Sequence, residues 1–230
     1  IHRSFKFGPI IVQKSGSTNI VRCAFMRRMI TDWEHPEDMS LAYALTQIER
    51  FSPKAFGLLE MRGQRDLYIY DKIYTNSYLL GDKQIWGIDF SLEFMMNTSA
   101  SLFPPIQKWK ERGYTRDEYG RCLGPEDEIA LPLYQGIMIW QFDYAFTGFR
   151  DLGGSTGWQA VSWENKDIVP KYLMSQKNVQ SHSPASMAFR VGFRDIQNAT
   201  NQRTMIACAI PRFPCANTVP GLTRGRWNED

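Results

Sequence analysis

Residues 189–211 read FRVGFRDIQNATNQRTMIACAIP, and this stretch sets the expected fold of the chain. In its first part apolar residues alternate with Arg190, Gly192 and Arg194, which predicts a strand with one apolar and one cationic face. The polar middle predicts a turn, and the continuously apolar run 205–210 predicts a second strand covered on both faces. The whole stretch is therefore expected to form a buried hairpin with charged flanks.

The arginines of this hairpin are the leading candidates for binding an anion. Arg190 and Arg194 have the same parity on one strand and Arg203 begins the other, so the three guanidinium groups are expected to converge. A guanidinium donates two parallel hydrogen bonds, which suits phosphate oxygens and the major-groove edge of guanine. Asn201, in the turn, carries an amide that can read adenine. Alternatively, Arg194 pairs with a carboxylate such as Asp195 and only stabilises the hairpin.

Basic residues are concentrated around this hairpin rather than over the chain as a whole. The 230 residues carry a formal net charge of only +3, which is weak evidence for an anionic partner. Between Ser181 and Asn228, however, six arginines stand against one acidic residue, Asp195, for a local net charge of +5. This asymmetry is the main electrostatic feature of the sequence.

Composition narrows the class of protein. Hydrophobic residues make up 43% of the chain, enough for the core of one large domain or two small ones. No apolar run approaches the roughly 18 residues of a membrane span and no signal sequence opens the chain, so we expect a cytoplasmic protein without a membrane partner. Because the chain starts at Ile1 rather than at methionine, we also expect it to be a piece of a longer protein.

Local motifs for catalysis or metal binding are missing from the sequence. The four cysteines form no CxxC pair and lie far from the three histidines, so free thiols are expected and no metal site is predicted. Glycine-rich phosphate loops and GxSxG or HExxH motifs are absent as well. The sequence therefore predicts no catalytic or cofactor-binding residue, and whether the chain belongs to an enzyme stays open at this point.

Patterning along the chain predicts a mixed α+β fold that is rich in strands. Two apolar runs, 5–12 and 20–25, are expected to pair around a flexible turn. Helical periodicity follows over 41–51 and again over 67–76. An α/β segment is therefore expected in the first part of the chain.

A change of composition predicts a domain boundary near residue 100. From Leu102 onward the chain is rich in proline, glycine and isolated aromatic residues. We expect an α/β segment over 1–100 and a strand-rich domain over 101–230. Within the second domain, residues 134–142 are expected to form a strand buried on both faces. The glycine-bearing residues 148–157 are expected to form a loop.

Two further places in the second domain hold groups suited to nucleic acid. Aromatic and basic residues interleave over 103–119, including Lys108, a mix that can hold a backbone while rings stack on bases. The same mix is equally typical of an irregular surface segment that its aromatic side chains pin down. Gln141 is a candidate base reader, and Asp143 beside it is either a site carboxylate or a turn residue at the end of a strand.

Five motifs in one order resemble those of large adenine-specific DNA methyltransferases. These are the single-chain enzymes of restriction and phage-defence systems, including the type IIG restriction-modification, BREX and DISARM groups, and the DISARM-type methylase is the most similar. The resemblance spans nearly the whole chain. Its motifs are FKFG at 5–8, YLLGD at 78–82, EF at 93–94 with the run 97–103, LYQG at 133–136 with QFD at 141–143, and FRDI at 193–196 with TNQRTMIA at 200–207.

The resemblance implies that this chain lies C-terminal to a catalytic centre. That family binds S-adenosylmethionine and carries an Asn-Pro-Pro-Tyr type motif beside the flipped adenine, whereas this chain has only Phe103-Pro104-Pro105-Ile106. Residues 1–100 would then be the tail of the methylase core or a connector. Residues 101–230 would be the target recognition domain, which binds double-stranded DNA beside an upstream methylase domain of the same chain. The expected DNA contacts are Arg190, Arg194, Arg203 and Lys108, with Asn201 and Gln141 as base readers.

Two functions of other classes also fit the sequence. The aromatic loops and the arginine-bearing tail would suit a protein-interaction module that docks a helicase or another defence-system subunit. The seven tryptophans suggest a β-rich carbohydrate binder, which would need exposed, coplanar rings. Salt dependence separates DNA recognition from the protein-interaction module. The affinity for DNA falls steeply with salt, whereas the affinity of an apolar protein interface does not.

Overall fold

The computed structural model describes residues 10–27, 29–151, 156–182, 190–198 and 201–224. The chain folds as two compact units, Ile1–Leu79 and Leu80–Asp230. This division lies ahead of the boundary near residue 100 that composition predicts. The reason is a strand at Ile88–Ser91, which pairs with Gly221–Arg224 and so joins the end of the chain.

In the described part of the first unit, two antiparallel strands pair, β1 (Ile20–Cys23) and β2 (Leu41–Ala44). The predicted strand at 20–25 is therefore present, but its partner differs from the expected one. Residues 10–12 of the expected partner are not in a strand, and residues 5–9 lie outside the described residues. The strand pairs instead with β2, which alternates a buried and a half-buried side chain.

Among the described residues of the first unit, the α-helices are α1 (Pro36–Met39), α2 (Leu45–Phe51) and α3 (Gln64–Thr75). Helix α2 begins later than the periodicity from residue 41 predicts, because the first of those residues belong to β2. The Gln47 side chain accepts a hydrogen bond from the Ala44 backbone N–H at 3.1 Å and so caps the start of the helix. The buried core of this unit is formed by Leu41, Tyr43, Ile48, Phe51, Met61 and Leu67.

The second unit contains most of the strands. Its elements in chain order are β3 (Ile88–Ser91), α4 (Ile106–Glu111), β4 (Thr115–Arg116), β5 (Cys122–Leu123), β6 (Ile129–Pro132), β7 (Thr147–Asp151), β8 (Thr156–Ala160), β9 (Leu173–Ser175), α5 (Gln176–His182), β10 (Arg190–Phe193), β11 (Ala207–Ile210) and β12 (Gly221–Arg224). Short 3₁₀ helices of this unit occur at Ala100–Leu102, Pro125–Asp127, Gly136–Met138 and Trp163–Asn165, and another lies in the first unit at Ile30–Trp33.

Where the structure describes the second unit, its strands form three antiparallel assemblies. One sheet has the order β11–β10–β12–β3, a second has the order β4–β5–β6–β9, and β7 pairs with β8 alone. Together with the helices, these sheets confirm the expected mixed α+β, strand-rich fold. Over the ranges that are described, no helix combines the length and apolar character needed to cross a bilayer.

The predicted hairpin of β10 and β11 is confirmed, but its faces are reversed. Val191 is 41% exposed, whereas the Arg190 side chain points into the protein and Gly192 is buried. A Cβ on Gly192 would lie 2.8 Å from a Val219 methyl group, so glycine permits this close packing. The second strand is also covered on one face only, since Ala209 is exposed between two buried neighbours.

Two other segments of the second unit differ from expectation. Residues 134–142 form no strand, because Gly136 starts a 3₁₀ turn that packs against the Thr218 backbone. Residues 148–157, expected to be a loop, contribute instead to the β7–β8 hairpin, with 152–155 outside the described residues. The first change bears on the candidate site, because the chain turns around at residues 140–143 where the strand was expected.

Candidate nucleic-acid interface

Arg190 lies inside the protein, where it forms a buried ion pair. Its Nη2 lies 2.8 Å from the Glu93 carboxylate, and the two side chains are only 8% and 5% exposed. The same nitrogen donates hydrogen bonds to the Phe213 carbonyl at 3.0 Å and to Cys215 Sγ at 3.2 Å. Glu93 also accepts from the Cys215 backbone N–H at 2.7 Å. The guanidinium thus joins β10 to two other segments, instead of facing solvent as the expected phosphate contact would.

Arg194 follows β10 and packs against aromatic rings. Its guanidinium carbon lies 4.6 Å from the centroid of Trp140 and 5.9 Å from that of Phe146, and these two rings stack on each other at 5.0 Å. Nε donates to the Ile139 carbonyl at 2.9 Å. Burial lowers the pKa of Arg194, and a guanidinium stays charged under such a shift. Arg194 therefore supports the hairpin through rings and carbonyl oxygens, and not through Asp195.

Arg203 and Asn201 lie in the connection between β10 and β11. Arg203 is exposed, while Asn201 is half-buried and donates its side-chain amide to Gln197 Oε1 at 2.9 Å. Arg203 does not begin the second strand, because pairing starts several residues later. The expected convergence of three guanidinium groups is therefore not formed: Arg190 and Arg194 have different partners, and Arg203 lies in the loop.

Gln141 and Phe142 form the tip of a tight turn. Trp140 and Asp143 enclose them by exchanging two backbone hydrogen bonds, of 2.8 and 3.0 Å. Gln141 Oε1 accepts from the Ala207 N–H at 3.3 Å, and the Phe142 N–H donates to the Ala207 carbonyl at 3.0 Å. The turn thus lies beside the start of β11. No glycine or asparagine marks it, which is why the sequence pattern gave no signal for it or for Phe142.

Asp143 is a structural group rather than a site carboxylate. Its side chain lies 2.6 Å from Lys166 Nζ, and both side chains are buried. Lys166 also donates to the carbonyl oxygens of Ala145 at 3.0 Å and Val161 at 3.1 Å, and it lies 4.2 Å from the ring centroid of Trp163. This network fixes the residue that closes the turn.

The aromatic and basic residues of 103–119 are divided between the core and the surface. Trp109 and Tyr114 are buried and meet edge to face at 4.9 Å, and Arg112 covers the Trp109 ring at 5.2 Å. These rings are not open to stacking by bases, so they pin down a surface segment. Lys108 is exposed on α4 and keeps its place as a candidate phosphate contact.

Three of the six expected DNA contacts share one region of the surface. We call this region the turn–loop face and define it as Gln141, Phe142, residues 195–198 and residues 201–206. Backbone hydrogen bonds join its parts. The Arg194 N–H donates to the Ile206 carbonyl at 2.9 Å, and the Phe142 N–H donates to the Ala207 carbonyl. The face therefore carries an aromatic ring, amides and one exposed arginine on a common frame.

The groups on the turn–loop face can donate and accept hydrogen bonds and can stack, which suits nucleic-acid bases and phosphates. No family model, curated protein or solved structure matches this chain. A function therefore has to be supported by the chemistry of these side chains and by the motifs in the sequence.

Among the described residues, neither the thiols nor the carboxylates form a metal site with buried ligands. All four cysteines are free, and burial raises the pKa of Cys208 and Cys215 to about 12. His35, Glu37 and Asp38 bring their ligand atoms within 4.8 Å of one another, but all three are exposed. Nothing buried holds this last group in place, so we assign it no role.

Proposed function

We propose that the second unit is the DNA-recognition part of an adenine-specific DNA methyltransferase from a restriction-modification or phage-defence system. Catalysis and S-adenosylmethionine binding would belong to an upstream methylase domain, because residues 1–230 contain no Asn-Pro-Pro-aromatic motif. Such an enzyme acts on cellular DNA, so we expect it in the cytoplasm.

The observation that carries this proposal is the turn–loop face. It presents the exposed Arg203 for phosphate and the exposed ring of Phe142 for an apolar contact. The half-buried amides of Asn201 and Gln141 would exchange their bonds to Gln197 and the Ala207 N–H for base edges on binding. Two of the five motifs that resemble the methyltransferases contribute residues to this face, QFD at 141–143 and FRDI at 193–196 with TNQRTMIA at 200–207. Phosphate contacts would fix the register on the duplex, and base specificity would come from the amides and the loops around them.

A salt titration of duplex binding tests the proposal. Fluorescence anisotropy of a fluorescein-labelled duplex of about 30 base pairs would give the Kd of the full 230-residue chain. Neutralising about two or more phosphates makes the affinity fall at least about tenfold between roughly 50 and 200 mM NaCl. Binding that is absent, or that is insensitive to salt, would overturn the proposal.

Paired arginine variants localise the interaction. Arg203→Met is expected to weaken binding similarly on different sequences and to reduce the slope of log Kd against log salt by about 1, as for one lost phosphate contact. Arg65→Met is the matched control, since Arg65 is an exposed arginine on α3 of the first unit. Equal effects of the two substitutions would show that the arginine on the turn–loop face has no special part in binding.

A protein-interaction module is the second candidate, and one feature of the sheet favours it. Phe90 pairs with Leu222 across β3 and β12, and Val191 pairs with Ala209 across β10 and β11. Phe90, Val191 and Ala209 are exposed, so this outward face of the sheet presents apolar surface. If it is the functional surface, Phe90→Ser will abolish association with a defence-system subunit and leave duplex binding unchanged.

A further inference from the structure

Phe142 is held in place by the backbone on both sides. The reciprocal hydrogen bonds between Trp140 and Asp143 close the turn, and the Phe142 N–H is itself bonded to the Ala207 carbonyl. The position of its Cα is thus set by the turn and by β11 together. A side chain mounted in this way does not depend on its own packing to stay in place.

The ring of Phe142 contributes little to folding. Phe142 is 78% exposed, and its φ is +62°. This is the left-handed region, which is sterically disfavoured for a bulky L-residue and allowed for glycine. Burial therefore does not explain an aromatic residue here, and local backbone energetics oppose it. Phe56 shares the exposure and the positive φ, so these features alone assign no role. Phe142 differs because it lies on the turn–loop face, with the proposed DNA contacts, which points to a role outside folding.

Stacked aromatic rings and charged side chains flank the turn that carries Phe142. The rings of Trp140 and Phe146 stack at 5.0 Å, and the Arg194 guanidinium covers the Trp140 ring. On the other side of the turn, Asp143 is fixed by Lys166 at 2.6 Å. The backbone that carries the protruding ring is thus held by several contacts, so placing the ring in a partner would cost little backbone ordering entropy.

We propose that Phe142 is an apolar wedge that inserts between stacked base pairs of duplex DNA; this rests on the DNA-binding function proposed above. Inserted phenylalanine side chains partially unstack a base step and are stabilised by the apolar faces that the step exposes. The neighbouring Arg203 and Asn201 of the turn–loop face would hold the backbone and base edges on the flanks of the opened step. The wedge is a positioning device that distorts DNA, and it takes no part in a chemical step.

A pair of duplexes tests the wedge without knowledge of the recognised sequence. The two fluorescein-labelled duplexes share one sequence, and one of them has a single central abasic site. Because the abasic duplex is already unstacked, the wild-type chain is expected to bind it roughly tenfold more tightly than the intact duplex. Phe142→Ala is expected to bind the two duplexes equally, because the ring that benefits from the unstacked site is gone.

Two further variants control for strain and folding. Phe56→Ala removes an exposed phenylalanine of the first unit whose φ is +51°, so it repeats the change in residue type and backbone region at another place. It is expected to keep the wild-type preference for the abasic duplex. Phe142→Gly removes the ring where glycine suits the backbone, so it should unfold at no lower temperature than wild type and still lose the preference.

The outcomes separate the two proposals. If the wild-type chain binds neither duplex, the DNA-binding function and the wedge both fall. If it binds both duplexes in a salt-dependent manner but without preference, or if Phe142→Gly keeps the preference, DNA binding stands and the wedge is wrong. A Phe142 that anchors a protein partner instead would give that second result.

Discussion

Replacing Arg190 with methionine tests whether this arginine is a structural residue or a DNA contact. Methionine keeps much of the apolar stem but removes the guanidinium, so Glu93 retains the Cys215 N–H and loses the charge opposite it. Removing one partner of a buried ion pair typically costs about 3–5 kcal/mol, because the remaining charge is uncompensated. The two side chains are 8% and 5% exposed, so Arg190→Met is expected to fall within this range.

Urea unfolding followed by tryptophan fluorescence is the appropriate assay, since six of the seven tryptophans lie in the second unit. With an m value of about 2 kcal/mol/M, the loss corresponds to a midpoint lowered by about 1.5–2.5 M. Adding Glu93→Gln removes the carboxylate charge that faced Arg190 and keeps an acceptor for the Cys215 N–H. The double variant is therefore expected to lie within about 1–2 kcal/mol of wild type.

Arg203→Met serves as the control for the same experiment, because Arg203 is an exposed arginine of the connection that follows the strand bearing Arg190. Its unfolding free energy is expected to stay within about 0.5 kcal/mol of wild type. The reasoning is refuted if Arg190→Met unfolds at the wild-type midpoint, or if the double variant is less stable than Arg190→Met alone. An unchanged midpoint combined with weakened DNA affinity would restore Arg190 as a contact residue.

Three other predictions concern ion pairs of the second unit and the thiols. Lys166→Met leaves the buried Asp143 carboxylate without its cation and is expected to cost about 3–5 kcal/mol in urea unfolding. The hydrogen bond from Arg116 lowers the pKa of Asp167, so the stabilisation is complete above the ordinary value of 3.8 and is lost as pH falls through the lowered pKa. Asp167→Asn should thus be less stable than wild type at pH 7, by under about 1 kcal/mol for this partly exposed pair, and the melting temperatures should converge in acid. Cys23, the one half-buried thiol, is expected to react with a thiol reagent in the folded protein before the three buried ones, as mass spectrometry of labelled peptides would show.

Local patterning was sufficient to predict the elements that rest on neighbouring residues. The alternation around Val191 correctly predicted β10, the apolar run before Pro211 predicted β11, and the periodicity over 67–76 predicted α3. These elements depend on side-chain spacing along one segment, which the sequence displays directly. The same patterning along the chain predicted the mixed α+β class.

The candidate site was predicted less completely, because burial of a face depends on partners far away in the chain. Alternation showed that Arg190 and Val191 point to opposite sides of β10, but not which side is inside. The buried side of β10 is the one that faces Glu93, because Glu93 gives Arg190 a buried counter-charge. Gly192 lets the chain pack closely on the same side. An ion pair that joins residues about a hundred positions apart leaves no periodic trace in the sequence.

The sequence by itself determined the β10–β11 hairpin, the mixed fold and the set of polar residues around residues 189–211, since these follow from local spacing and composition. Only the tertiary structure decided which of those residues reach the surface. It placed Arg190 in the interior and Arg194 on aromatic rings, and it brought the turn at Phe142 beside the loop of Arg203. The physical reason is that charge pairing and backbone hydrogen bonding between distant segments select the buried face, and these interactions exist only once the chain has folded.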